Sequence, residues 1–271
     1  GVKDEIISKE GLWTYAAGIN NFLLTHDNKL LFEVREKVDG KYYVSVLNAY
    51  YTKWIEKISK AFDGDECIDV HIDELVISQV TSKGGYICHC DILPLTQLTG
   101  HSFTSSVFIP GSHIVLNIEH DFKRWIGQTV QIIPQKFVDF KVDKRNGTIE
   151  KSLVGSRKKV LQILGMHYLH DLYNQYKLGE QENVQFEKPR FSGTVTGVIN
   201  ADKKRGVFVE LDDKYITGLL PIESYDLLNY KIGDKVDVRI SEFEVQPERE
   251  PFIIKNNKVI KCHTRPIFEL A

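Results

Sequence analysis

The sequence predicts a mainly β fold with some α-helix: a small N-terminal α/β module, then two short-stranded β domains in tandem with a connecting helix between them. The first observation is a series of short β-rich runs broken by glycine, which begins at Ile68 and resumes after Pro189. Such series are typical of small sandwiches and barrels. The second observation is the helical spacing of apolar residues in two stretches, residues 49–62 and 160–176.

The composition limits the class of protein. A chain of 271 residues is longer than one small core needs, which indicates two or three modules. Hydrophobic residues make up 42% and charged residues 27%, as in ordinary globular proteins, and the net charge of −2 indicates no partner by itself. Four unevenly placed cysteines do not form a disulfide framework. We therefore expect free thiols, a reducing compartment and a cytoplasmic location, with no membrane association.

The N-terminal module is predicted over residues 1–65. Two β-rich runs flank Asp39-Gly40, which is a hairpin signal because glycine tolerates the positive φ of a tight turn. Tyr50, Trp54 and Ile58 then recur at helical spacing. No motif with chemistry stands out, so we interpret the module as a packing or docking unit and expect any protein partner to bind there.

The boundaries of the other modules follow from the change in pattern. The first β domain is predicted over residues 66–158, with an inserted loop at 93–104, and the second over residues 189–263. A helical stripe predicts the connecting helix and a linker over residues 159–188, although Gly165 weakens its middle. The last eight residues, 264–271, are predicted to be a tail.

Both β domains share an order of motifs. In the second, FSGTVTGVI, RGVFVEL, ITGLLP and YKIGDKVDVRI follow one another. In the first, GGYICHC, VFIPGS and GQTVQIIP do so. This order resembles the S1 RNA-binding domain, the module named after ribosomal protein S1. The resemblance implies two five-stranded Greek-key barrels of the OB class in tandem, whose outer face on strands two and three binds oligonucleotides.

The resemblance also implies which residues contact RNA. In the first barrel Tyr86 holds the aromatic position of the second strand, Lys83 stands where a further aromatic often lies, and His113 is close to the usual third-strand histidine. In the second barrel Phe208 holds the aromatic position and Arg205 replaces the other ring. Each aromatic that stacks on a base contributes about 1–3 kcal/mol. With so few rings, we expect weak affinity per barrel and compensation by two barrels in series.

Charge distinguishes the two barrels. Residues 141–159 carry seven basic and two acidic side chains, a net charge of +5. Lys144, Arg145, Arg157 and Lys158 are the members that we expect to contact phosphates. Residues 189–246 carry slightly more acidic than basic side chains. The first barrel is therefore expected to contribute more of the RNA binding, unless the basic residues are only a solvated turn and a solvated helix start.

The sequence gives only weak signals for metal binding or catalysis. Cys88-His89-Cys90 has two thiols on one face of a strand, but no second pair stands at metal-ligand spacing, so we expect buried cysteines and neither a metal nor another cofactor. His167 and His170, three apart on a helix, are typical of surface or interface residues. No phosphate-binding loop, nucleophile elbow or zinc-protease motif occurs. We therefore expect a non-enzyme without catalytic residues.

Two functions from different classes remain open. The first is a single-stranded RNA-binding protein of the ribosomal protein S1 type, acting in translation, transcription or RNA handling, with single-stranded DNA as a further ligand. The second is a structural or docking protein whose barrels bind protein rather than RNA. Missing stacking residues and a nearly neutral net charge favour the second, and the basic stretch at residues 141–159 favours the first.

Overall fold

The computed structural model contains two compact units. The first comprises Gly1–Ile114 and Asp121–Arg157, and the second comprises Val115–His120 and Lys158–Ala271. Within the described residues no helix is long and apolar enough to cross a membrane. The described residues are 5–8, 31–39, 41–63, 66–77, 84–99, 102–117, 121–143, 148–182, 188–201, 204–223 and 226–271.

The N-terminal part of the first unit is a small sheet followed by a helix. Strands β2 (Glu33–Val38) and β3 (Lys41–Ser45) form an antiparallel hairpin, and β1 (Glu5–Ser8) pairs parallel with β3. Asp39 in the turn has a φ of 49°. Helix α1 (Val46–Lys60) buries residues at helical spacing, as the sequence predicts. The ring of Trp54 lies 6.0 Å from that of Phe137, so the helix packs on the next domain of the same unit.

Five strands form a closed barrel in the first unit, in the order β4-β5-β6-β8-β7. Neighbours are antiparallel except β6 and β8, the third and fifth strands, which are parallel. The predicted inserted loop contains a short helix, α2 (Leu93–Thr99). The strands are β4 (Ile68–Ile77), β5 (Gly84–Asp91), β6 (Thr104–Pro110), β7 (Thr129–Asp143) and β8 (Thr148–Ser156).

The second unit contains another closed barrel of five strands. Four of them are β9 (Arg190–Ala201), β10 (Lys204–Leu211), β11 (Thr217–Pro221) and β12 (Lys235–Val245). A separate hairpin, β13 (Phe252–Lys255) and β14 (Lys258–Cys262), precedes the fifth strand, β15 (Thr264–Leu270). The barrel order is β10-β11-β15-β12-β9, again with the third and fifth strands parallel.

The prediction that residues 264–271 form a tail is wrong. These residues contain β15, which lies between β11 and β12 and closes the barrel. Phe268 on this strand is 1% exposed and belongs to the core. The preceding β-rich run, residues 252–262, forms the β13–β14 hairpin with its turn at Asn256-Asn257, and it pairs with none of the described barrel strands.

The connecting helix packs on the second barrel. Helix α3 (Arg157–Glu182) places Leu169 and Leu172 in the core of the second unit. Further along the helix, the ring of Tyr173 lies 5.4 Å from that of Phe243. Gly165, which weakens the helical pattern in the sequence, is where the helix approaches the backbone of Tyr215. This close packing explains why glycine occupies position 165, although glycine has a low helix propensity.

Gly165→Ala is therefore expected to destabilise the second unit, although the same change in an exposed helix stabilises by about 1 kcal/mol. The added Cβ would overlap the carbonyl oxygen of Tyr215, and such overpacking costs about 1–3 kcal/mol. Urea unfolding followed by circular dichroism measures the change in stability. Leu164→Ala is the matched control, because Leu164 is 50% exposed. A Gly165→Ala protein as stable as the parent would contradict the close approach.

Deletion of residues 264–271 is expected to unfold the second barrel, since it opens the barrel and removes Phe268 from the core. Loss of one buried phenylalanine side chain costs about 3–5 kcal/mol by itself, a large share of the stability of a domain. Amide hydrogen exchange should show that β9 to β12 lose protection. Strands β4 to β8 serve as the internal control. If β9 to β12 keep their protection, the strand is dispensable and the barrel assignment fails.

Candidate nucleic-acid interface

Phe208 lies on the outer surface of the second barrel. Its neighbours Val207 and Val209 are completely buried in the core, and side chains alternate between the two faces of a strand. The ring of Phe208 therefore points outward, where it is partly exposed. The guanidinium carbon of Arg265, on β15, lies 5.6 Å from the centre of this ring. That separation is within the range of a cation–π contact.

The ring stands at the end of an apolar row across three strands. Phe208 on β10 pairs with Leu219 on β11, and Leu219 pairs with Ile267 on β15. Paired residues lie on the same face of a sheet, and the core residues are their neighbours Leu220 and Phe268. The row therefore belongs to the outer face, but Leu219 and Ile267 are buried, at 5% and 9% exposure, and only Phe208 is partly exposed. Its exposed end carries an aromatic ring and a guanidinium group, the two groups that a base and a phosphate need.

The β13–β14 hairpin adds positive charge to the second unit. Lys255, Lys258 and Lys261 are exposed, and residues 252–262 contain no carboxylate. The turn residues Asn256 and Asn257 have φ values of 51° and 60°, as a tight hairpin turn requires. The hairpin is anchored, because Phe252 and Val259 are buried in the core of the unit. The ring of Phe252 also lies 5.5 Å from that of Tyr173 on α3.

Two residues of the second unit that the sequence predicts as RNA contacts, Arg205 and Lys158, do not lie beside Phe208. Arg205 is exposed, but it continues the inward register of Val207 and Val209, on the opposite side of the strand from Phe208. Lys158 is partly buried and lies beside Glu210. Burial raises the pKa of Glu210, and the hydrogen bond from Asn117 and the charge of Lys158 partly offset this rise. Lys158 therefore already has a carboxylate neighbour.

The prediction that Tyr86 stacks on a base is wrong. Its side chain is completely buried inside the first barrel, and its hydroxyl donates a hydrogen bond to the carbonyl oxygen of Phe122 at 2.9 Å. Cys88 and Cys90 point inward with it, and burial raises the pKa of both thiols to about 12. None of the four cysteines forms a disulfide, and Cys67 is the exposed one. The strand presents its other face, with Ile87 and His89, to the outside.

Strands β4 and β5 of the first barrel carry four exposed carboxylates among their described side chains. Phe108 on β6 is partly exposed, and its ring lies against Gly85 on β5, where a Cβ would overlap it. The exposed carboxylates on β4 and β5 of the same barrel, however, repel phosphates. These carboxylates are Asp69, Asp73, Glu74 and Asp91.

Arg157, which the sequence predicts as an RNA contact, is held by contacts within the first unit. Its guanidinium donates a hydrogen bond to the carbonyl oxygen of Ile114 at 2.8 Å and lies 4.5 Å from the ring centre of Trp125. His113 is partly buried in the 3-10 turn Gly111–His113, which follows β6. Three further predicted contacts lie outside the described residues: Lys83, Lys144 and Arg145.

Four members of the interface, Arg265 and the three hairpin lysines, are not indicated by the sequence. Arg265 falls in the predicted tail, and its place beside Phe208 depends on β15, a strand that the sequence does not predict. The hairpin lysines follow ordinary strand spacing, and only the absence of carboxylates between residues 252 and 262 sets them apart. Comparison with family models finds no match for the sequence, and comparison with curated proteins finds none either. The resemblance to the S1 domain therefore stays a prediction.

Tyr86→Phe is expected to lower the stability of the first unit by about 0.5–1.5 kcal/mol, because one buried hydrogen bond is removed while the ring remains. Tyr86→Ala should cost about 3–5 kcal/mol. The three tryptophans, Trp13, Trp54 and Trp125, fall within the sequence ranges of the first unit. Urea unfolding followed by tryptophan fluorescence therefore reports on that unit. If Tyr86→Phe weakened RNA binding while stability stayed the same, the burial of this ring would be contradicted.

Proposed function

We propose that this protein binds single-stranded RNA through the outer face of its second barrel and acts in translation, transcription or RNA handling in the cytoplasm. The observation that carries the proposal is the partly exposed ring of Phe208 on the second strand of a closed barrel, with the guanidinium of Arg265 at 5.6 Å. A partly exposed ring beside a guanidinium offers a stacking surface for any base.

The arrangement of strands supports this assignment. In both barrels the order is first, second, third, fifth and fourth strand, with the third and fifth parallel. A five-stranded Greek-key barrel with this arrangement is what the OB class requires, and proteins of that class bind oligonucleotides on strands two and three. Phe208 and Leu219 occupy those two strands. The S1-like motifs RGVFVEL and ITGLLP fall on the same strands.

The position of the basic hairpin supports it further. The hairpin lies in the connection between the fourth and fifth strands of the barrel, and in OB barrels this connection flanks the binding face. Lys255, Lys258 and Lys261 supply three positive charges there. Lysines that neutralise phosphates release counterions, so the affinity of this surface should fall steeply with salt.

The first barrel supports a second candidate function. Its outward carboxylates, among them Asp69 and Glu74, oppose binding to a polyanion. The ring that the sequence suggested for stacking is buried. We propose docking of a protein partner for the first unit, including the N-terminal module. Under this proposal the second barrel, rather than the first, binds the RNA.

Fluorescence anisotropy with labelled single-stranded RNA and matched DNA tests the proposal. Phe208→Ala is expected to weaken binding by about 1–3 kcal/mol, the contribution of one stacking ring. Arg265→Gln should weaken it as well, because it removes the cation beside that ring. Glutamine at Lys255, Lys258 and Lys261 together should reduce the slope of log affinity against log salt by roughly 2, because each phosphate that is no longer neutralised lowers the slope by about 0.7.

Two matched controls separate this surface from general effects. Phe122→Ala removes a phenylalanine that is 40% exposed in the first unit. Glutamine at Lys53, Lys57 and Lys60 removes three exposed lysines of α1. Neither change should alter RNA affinity. The proposal fails if Phe208→Ala binds as tightly as the parent, or if the intact chain does not bind RNA at low salt. Equal affinity for DNA would make single-stranded nucleic acid in general the ligand.

A further inference from the structure

Two histidines face each other on the outside of the first barrel. His71 on β4 and His89 on β5 are directly paired across the two strands, and their ring centres are 5.2 Å apart. Val70 and Ile72 on one strand and Cys88 and Cys90 on the other are buried. Side chains alternate along a strand, so both imidazoles point outward, and both are partly exposed.

Each imidazole has an oxygen beside its Nδ1 atom. Nδ1 of His89 lies 2.8 Å and 2.9 Å from the two carboxylate oxygens of Asp73. Nδ1 of His71 lies 3.4 Å from the hydroxyl oxygen of Thr129. A carboxylate accepts a hydrogen bond and cannot donate one, so Nδ1 of His89 carries the proton. In neutral imidazole the other nitrogen, Nε2, then has a free lone pair.

We propose that His71 and His89 bind a divalent transition-metal ion through their Nε2 atoms and that Asp73 positions His89 for this purpose. Metal-binding histidines usually donate their other N–H group to a carboxylate or a similar acceptor, which fixes the ring and makes the ligating nitrogen more basic. Asp73 stands in that position. The site is separate from the RNA surface of the second unit and does not depend on the proposed function.

The geometry of the pair suits one shared ion. Zinc–nitrogen bonds are about 2.0–2.1 Å, so tetrahedral coordination puts two ligating nitrogens roughly 3.3 Å apart. Ring centres 5.2 Å apart are compatible with that separation between the two Nε2 atoms. Among the described residues no group of three or more metal-binding side chains is present. Water molecules therefore complete the coordination, and the site binds more weakly than a structural zinc site.

The ligand type decides which ions bind. Imidazole suits zinc, copper and nickel, whereas magnesium and calcium prefer oxygen. The exposed carboxylates Asp69 and Glu74 on the same strand attract cations to this face. A bound ion in turn reduces the negative charge there. The water-filled positions are open to a carboxylate or phosphate of another molecule.

Isothermal titration with zinc chloride tests the site, using the full chain without a polyhistidine tag. We expect one site per chain, and His71→Ala and His89→Ala should each weaken it by tenfold or more. Asp73→Asn should weaken it about 10–100-fold, as loss of a positioning carboxylate does. His167→Ala and Cys67→Ser are the matched controls and should bind zinc as the parent does. Magnesium chloride should give no comparable binding.

Nuclear magnetic resonance of the histidine side chains distinguishes direct ligation from a structural effect of the substitutions. Of the nine histidines, His71 and His89 should show shifts at Nε2 when zinc is added. The same spectra without zinc show whether each variant is folded. The proposal is overturned if the intact chain binds no zinc at millimolar concentration. It is also overturned if zinc shifts other histidines instead, or if both alanine variants bind zinc like the parent.

Discussion

Closure of each barrel by a parallel contact between its third and fifth strands determines most of what this structure presents to its surroundings. The contacts are β6 with β8 and β11 with β15. They remove the exposed strand edges that would otherwise invite pairing with other chains. Closure also gives every strand an inside and an outside. Because side chains alternate, the register of a strand then decides whether each of its side chains faces the core or the surface.

Strand register explains why one candidate stacking ring, Phe208, is partly exposed and the other, Tyr86, is buried. In RGVFVEL, valines alternate with Phe208, and the apolar pattern itself indicates which side is the core. In GGYICHC, Tyr86 and the cysteines alternate with Ile87 and His89, so neither set is clearly polar. The resemblance located the strand in both cases, but only the folded barrel decides which set is buried. A shift of one residue exchanges the two faces.

Nonlocal pairing accounts for the other features that the sequence did not reveal. Modules, helices and most strands follow from periodicity within short windows. The strand that closes the second barrel does not, because its run contains Pro266, which weakens a strand pattern. The hairpin before it offers a more regular alternative. Arg265 beside Phe208 and His71 beside His89 likewise come together only through strand pairing, and no spacing rule within one segment contains that information.

The uneven burial of the four cysteines has a consequence for chemical modification. Alkylation and oxidation proceed through the thiolate, and burial raises the pKa of Cys88, Cys90 and Cys262. Cys67, by contrast, is exposed next to β4. A maleimide dye or spin label therefore attaches to the native chain at one position, Cys67. The fold thus supplies a single-site attachment point, and no cysteine needs to be removed to obtain it.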